Sequence, residues 1–111
     1  MSEVTAIGKN IRISPKKVRI VARNFSGKGA KEALVSLKFV QKRAALPLSK
    51  VLKSAIANAE NSKQLKNQEL TIKAIMVDEG PTLKRVRAVS RGAAHQILKR
   101  TSQIKVILGE K

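Results

Sequence analysis

The sequence predicts an α+β fold in a single domain, residues 1–111. Three helices pack on a small three-stranded antiparallel sheet, and a long basic β-hairpin protrudes from it. Three observations predict this. Apolar residues recur at helical spacing in three segments between Pro15 and Asn61. Two runs rich in strand formers, Leu70 to Val77 and Ile104 to Leu108, stand at the two ends of the second half of the chain. Between them, from Gly80 to Gly109, there is no acidic residue, while Lys84, Arg85, Arg87, Arg91, Lys99, Arg100 and Lys105 supply seven cations.

Val4 to Ile13 reads as a short strand with imperfect alternation. Val4, Ala6, Ile11 and Ile13 are apolar, and Lys9 and Arg12 are interspersed. Ser14-Pro15 starts a helix: Ser is a good N-cap, and Pro at the first helical position gives up only an N–H that had no partner. Val18, Val21, Ala22 and Phe25 form its apolar face, with Gly27 as the expected stop. A second short helix is expected from Ala30 to Lys38, burying Ala33, Leu34 and Leu37. The third runs from about Arg43 to about Asn61, with Pro47 tolerated in its first turn. Its stripe is Leu48, Val51, Leu52, Ala55, Ile56 and Ala59, and the two later alanines allow the sheet to approach closely.

Leu70 to Val77 sets Leu70, Ile72, Ala74 and Met76 against Thr71, Lys73, Ile75 and Val77. Its expected partner is Ile104 to Leu108, where Ile104, Val106 and Leu108 share a face. If these strands pair through a turn near Ser90-Arg91-Gly92, each arm is on the order of 50 Å long. The body, residues 1–77 plus 102–111, is too small to cover such arms, so residues 78–101 protrude. Asp78-Glu79-Gly80-Pro81 suits a bulge or bend where the hairpin leaves the body. An isolated two-stranded hairpin is marginal in water. This one therefore needs a partner, and its charge makes that partner a polyanion.

Composition points the same way. The formal net charge is +17 over 111 residues, which opposes compaction and attracts nucleic acid or anionic membrane. Aliphatic content is ordinary, so the chain is not a disordered basic tail. Phe25 and Phe39 are the whole aromatic complement, which argues against base stacking and for phosphate and shape contacts. There is no Cys, hence no disulfide framework or thiolate metal site. No apolar run is long enough to span a bilayer, and the N-terminus lacks signal-peptide features.

The candidate RNA contacts are Lys84, Arg85, Arg87, Arg91, Lys99 and Arg100 on the hairpin. Arg offers a planar fork that bridges phosphates and Lys a compact charge. The bland alternative is a solvated loop, but no neighbouring acids neutralise it. Lys16, Lys17 and Arg19, at a helix N-terminus, form a second patch whose alternative is a solubilising surface. For Glu60 local hydrogen bonding at a helix end is preferred over function. His95 is the lone His, far along the chain from Asp78, and reads as a polar hairpin residue. Gly27-Lys28-Gly29 lacks the spacing of a phosphate-binding loop. No catalytic residues, metal ligands or cofactor are expected, and the chain is not expected to be an enzyme.

Four fragments then carry a resemblance. IRISPKKVRIVA (residues 11–22), LKSAIANAEN (52–61), VDEGPTLKR (77–85) and ILKRTS (97–102) stand in the order and spacing of a known family. The chain resembles the bacterial form of the universal large-subunit ribosomal protein twenty-two family over nearly its whole length. The resemblance implies three helices on a three-stranded sheet with a long hairpin. It implies binding to large-subunit ribosomal RNA beside neighbouring ribosomal proteins, as a monomer within the ribosome, with no membrane partner. It further implies that the tip, Ala88, Val89, Ser90, Arg91 and Gly92, helps line the wall of the nascent-peptide tunnel. The tip departs from the family's usual Pro-Arg-Ala-x-Gly-Arg, with Val89 and Ala93 where arginines are common, and Gln103 follows Thr-Ser where His is common. A cytoplasmic ribosome is expected, and an organellar one stays open. The competing reading is an architectural DNA-binding protein with basic β-arms. It is disfavoured because such arms usually work in dimers, and the helices are expected to spend their apolar faces on the core. The same expectation weighs against a membrane-surface peptide.

Overall fold

In a computed structural model of the chain, residues 3–62, 69–81, 83–88 and 94–110 are described, with 83–88 and 94–99 described by backbone alone. The order of elements is β1 (Glu3–Ile11), α1 (Pro15–Ala22), α2 (Ala30–Leu37), α3 (Ala45–Glu60), β2 (Leu70–Glu79), β3 (Leu83–Ala88), β4 (Ala94–Lys99) and β5 (Ser102–Glu110). Strands β1, β5 and β2 form one antiparallel sheet in that spatial order, and β3 and β4 pair antiparallel as a second sheet. The expected α+β class and the pairing of the Leu70 run with the Ile104 run are both borne out.

Strand β5 is central because its apolar residues alternate without a break. Ile104, Val106 and Leu108 are fully buried under the helices. The register builds three rows across the sheet: Val4, Leu108 and Ile72; Ala6, Val106 and Ile75; Gly8, Ile104 and Val77. The second and third rows depart from the simple alternation expected of the Leu70 run. A register shift between Ile72 and Ala74 inserts one residue into β2 and reverses the phase of everything after it. Leu70 and Ile72 face the core before the shift; Ile75 and Val77 do so after it. Met76, expected on the same face as Ile72, is instead 48% exposed.

Helices α1 and α3 bury the stripes expected of them, and α2 buries Ala33 and Leu37 but covers Leu34 only in part. In α1, Val18, Val21 and Ala22 are buried, as is Phe25 just beyond it. Ser14 stands at the N-cap with extended backbone, and its carbonyl accepts the N–H of Lys17 at 3.1 Å and of Val18 at 3.2 Å; its hydroxyl makes no cap bond. The helix stops at Ala22 with Arg23 as C-cap, earlier than Gly27 suggested. Gly27 has another task. Its φ of +85° is a left-handed conformation that suits glycine. That turn aims its N–H at Ile72 O, 2.8 Å away, while Ile72 N–H donates to Lys28 O, also at 2.8 Å. The α1–α2 connection thereby pairs with the outer edge of β2 and covers it against other strands.

Helix α3 lies across β1 and β5, and Leu48, Val51, Leu52, Ala55, Ile56 and Ala59 are buried along it. The approach is tightest at Gly8, where a Cβ would stand 2.5 Å from Val51 Cγ2. The strand shifts register between Gly8 and Ile11, with Asn10 at a φ of 57°, which accounts for the imperfect alternation of β1. Helices α1 and α2 pack on α3 and on β2. The helices do not spend all their apolar residues on this core, contrary to expectation: Val35 and Ile20 are exposed, as are Leu46 at 63% and, just past α2, Phe39 at 80%.

Gly8→Ala is expected to destabilise the protein by about 1–3 kcal/mol, the usual cost of overpacking. Urea unfolding measures this, and Val51→Ala in the same chain should return part of the loss. A loss unchanged by Val51→Ala would show that strand backbone, not helix contact, demands glycine there.

Candidate nucleic-acid interface

Lys84, Arg85, Arg87 and Lys99 fall on β3 and β4, a unit that does not join the body's sheet. In the β3–β4 ladder Leu83 stands opposite Lys99, Lys84 opposite Leu98, Arg85 opposite Ile97 and Arg87 opposite His95. Directly opposed residues share a face, and alternate residues along a strand change face. The register therefore assigns positions 85, 87 and 99 to one face and position 84 to the other. Five residues connect Ala88 to Ala94. Arg91 and the tip positions Val89, Ser90 and Gly92 lie outside the described residues, as does the turn expected at 90–92.

The two ladders are joined out of step. Glu79 pairs with Ser102 and Leu83 with Lys99, so three residues on one side face two on the other. Gly80-Pro81 stands in this offset, where the sequence predicts a bulge or bend. Backbone and side-chain hydrogen bonds together hold the joint. Gly80 N–H donates to Thr101 O at 3.0 Å, and the Thr101 hydroxyl donates to Pro81 O at 2.5 Å. A Cβ on Gly80 would stand 2.6 Å from Thr101 Oγ1, so the close contact requires glycine. The buried Ser102 hydroxyl donates to Ile13 O and ties the same point to the start of α1. Burying these two hydroxyls is tolerable because each has an acceptor. Beside them Arg100 and Glu79 approach to 3.9 Å at the surface, a pair that contributes little to stability and leaves Arg100 well exposed.

The candidates on α1 divide. Lys16 and Lys17 are exposed in the first turn, which holds no acidic residue. Arg19 is tied inward: its Nε and Nη2 donate to Val77 O at 3.1 and 2.7 Å. Two of its five donors thus brace α1 to β2, two residues short of the point where that strand leaves the sheet. Asn58, in the third-helix motif, likewise braces α3 to the backbone of β1, its Nδ2 donating to Thr5 O at 3.0 Å.

Sequence reasoning missed these braces. The ILKRTS and LKSAIANAEN fragments contain Thr101, Ser102 and Asn58, but a hydroxyl or amide does not announce which distant carbonyl it will meet.

Arg19→Met is expected to lower the stability of the free protein by about 1 kcal/mol, the net worth of such bonds. Lys16→Gln and Lys17→Gln should leave the melting temperature unchanged while weakening RNA binding in low salt. Thermal melts and filter binding on the three variants separate brace from contact.

The comparisons with known proteins bear on the whole of this arrangement. The family described as Ribosomal protein L22p/L17e matches residues 6–109, from β1 to the end of β5. The large ribosomal subunit protein uL22 of Desulfitobacterium hafniense, strain Y51, is 48% identical over 111 residues, covering 100% of this chain and 97% of that protein. That of Maridesulfovibrio salexigens is 50% identical over 108 residues, covering 97% of this chain and 98% of its own. With the three helices and all or most of each of the five strands inside one family match, and relatives covered over 97–98% of their own length, the chain belongs to the L22p/L17e family of ribosomal proteins.

Proposed function

We propose that the protein is a structural constituent of the large ribosomal subunit that binds large-subunit rRNA through its basic surfaces. It performs no catalysis. The observation that carries the reading is the coincidence of charge and architecture. Seven cations and no acid lie between Gly80 and Gly109, and four of those cations, Lys84, Arg85, Arg87 and Lys99, fall on a two-stranded sheet separate from the body's own. The family and the names of the relatives support it. So do the dimensions. The principal extents are 63 × 25 × 16 Å and the radius of gyration is 17.1 Å, against about 13 Å for a compact chain of this length.

In this reading β3 and β4 form a finger that enters folded rRNA. Lys84, Arg85, Arg87, Arg91, Lys99 and Arg100 neutralise phosphates along it, and release of counterions drives binding. Lys16 and Lys17, with the remaining donors of Arg19, give the body a second hold. Sequence readout is slight, since side chains cannot read the deep, narrow major groove of A-form RNA, and aromatics for base stacking are almost lacking. The tip, Ala88 to Gly92, reaches the wall of the nascent-peptide tunnel, where the growing polypeptide is a further partner. Neighbouring ribosomal proteins flank a monomeric body, and the site of action is the cytoplasmic ribosome. The hydrogen-bonded joint at Gly80, Thr101 and Ser102 fixes the finger's direction, so that binding at the body and at the finger act together.

Changing Lys84, Arg85 and Arg87 together to Gln should flatten the dependence of log K on log salt by about 2, each lost phosphate contact removing roughly 0.7–0.9. The measurement is filter binding to structured large-subunit rRNA fragments, with bent duplex DNA as competitor. An unchanged slope, or tighter binding to the DNA, overturns the rRNA reading. Within intact ribosomes a crosslinker at Arg91 should reach the tunnel wall, and crosslinks confined to the subunit exterior would remove the tunnel role.

A further inference from the structure

A groove of about 610 Å³ opens between the end of β1 and the first turns of α3. It lies within the range of ligand pockets, about 300–1,000 Å³. Its floor is aliphatic: Ile11, Ile13, Leu46, Pro47 and Val51. Its rim is cationic: Arg12, Lys42, Arg43 and Lys50, all exposed. Among the described residues no carboxylate lines it, and no Ser, Thr, Asn, Gln or His does either. None of its residues belongs to the candidate RNA contacts. Leu46, most of its side chain open to water, sits where a partner would cover it.

The lining discriminates between occupants. An inserted adenine, guanine or cytosine would bring an exocyclic amino group, and no side chain among the described lining residues can accept its hydrogen bonds; polar groups buried without partners are costly. An aliphatic side chain asks for none. A floor that takes aliphatics and a rim that takes negative charge together describe an acidic amphipathic segment. We propose that this groove docks such a segment of a neighbouring protein. It lies as a helix with leucine-type side chains on Ile11, Ile13, Leu46 and Val51 and carboxylates towards Arg12, Lys42, Arg43 and Lys50. The floor supplies most of the affinity, and the rim sets orientation and speeds encounter.

The test uses the full-length protein and a dye-labelled helical peptide of about sixteen residues, leucines at i, i+3, i+4 and i+7 and glutamates between them. A control peptide keeps every glutamate and replaces the leucines by serine. The third probe is an unstructured RNA of equal charge. Anisotropy should show the leucine peptide binding at least about tenfold tighter than the serine control, since each buried leucine is worth about that factor. Leu46→Ser, at an exposed position that the fold tolerates, should remove about tenfold of that affinity and leave RNA binding within about twofold. Leu46→Met should retain the affinity. Methyl NMR should shift Ile11, Ile13 and Val51. Equal binding of the two peptides reduces the groove to a nonspecific cationic surface and overturns the proposal. So does RNA binding that depends on Leu46 and displaces the peptide, which would make the groove a nucleic-acid site. Neither result touches the hairpin's role, which is read from the salt dependence of the β3 variants.

Discussion

Strand β5 is hydrogen-bonded along both edges, to the first strand of the chain on one side and to β2 on the other. Its three buried aliphatics seat every row of the sheet, and the helices rest on those rows. It is also the last element in sequence. The body therefore cannot close until the chain has travelled out through β3, returned through β4, and inserted its final strand between two that were made earlier. Contacts of such long sequence separation are entropically expensive and slow to form. The helices can collect locally, but the sheet that holds them waits for the end of the chain.

A formal charge of +17 works against that closure, because every cation brought into a compact body repels the others. The structure answers with close approach rather than bulk. Alanine recurs in the core, at positions 6, 22, 30, 33, 44, 45, 55 and 59, and Gly8 lets Val51 nearly touch the strand. Dense contact through small side chains recovers dispersion energy that a core with almost no aromatic rings would otherwise lack. Polar braces then tie helices and strands to each other: Arg19 to Val77, Asn58 to Thr5, Ser102 to Ile13. Two of them, on β2 at Val77 and on β5 at Ser102, lie next to the root of β3 and β4.

That fastening connects fold to function. A charged finger is useful to a folded RNA when it arrives at a fixed angle, since the ordering entropy is then partly met before binding. The joint supplies the angle through Gly80 and the two consecutive hydroxyls, Thr101 and Ser102, while the body offers a surface of different chemistry. Under the two proposals made above, phosphates would occupy the one and an acidic aliphatic protein segment the other, which would set a single small body between RNA and protein neighbours.

Much of this was legible beforehand. The α+β class, the three helical stripes, the pairing of the Leu70 and Ile104 runs and the acid-free cationic stretch follow from local spacing and composition, which are properties of the chain read residue by residue. Other features needed three dimensions. The register shift in β2 reversed which residues face the core, because an extra residue is admitted only where the partner strand and the α1–α2 connection leave room for it. Gly27 stops no helix; it covers a strand edge 45 residues further on, next to Ile72. Arg19 and Lys17 are alike in sequence, yet one is spent on a carbonyl of β2 and the other faces water. The order of elements and the charge they carry are fixed by covalent succession and side-chain type. The destination of each hydrogen bond, the phase of each strand and the shape of each groove are fixed only when distant segments meet, because each depends on distances that no local pattern encodes.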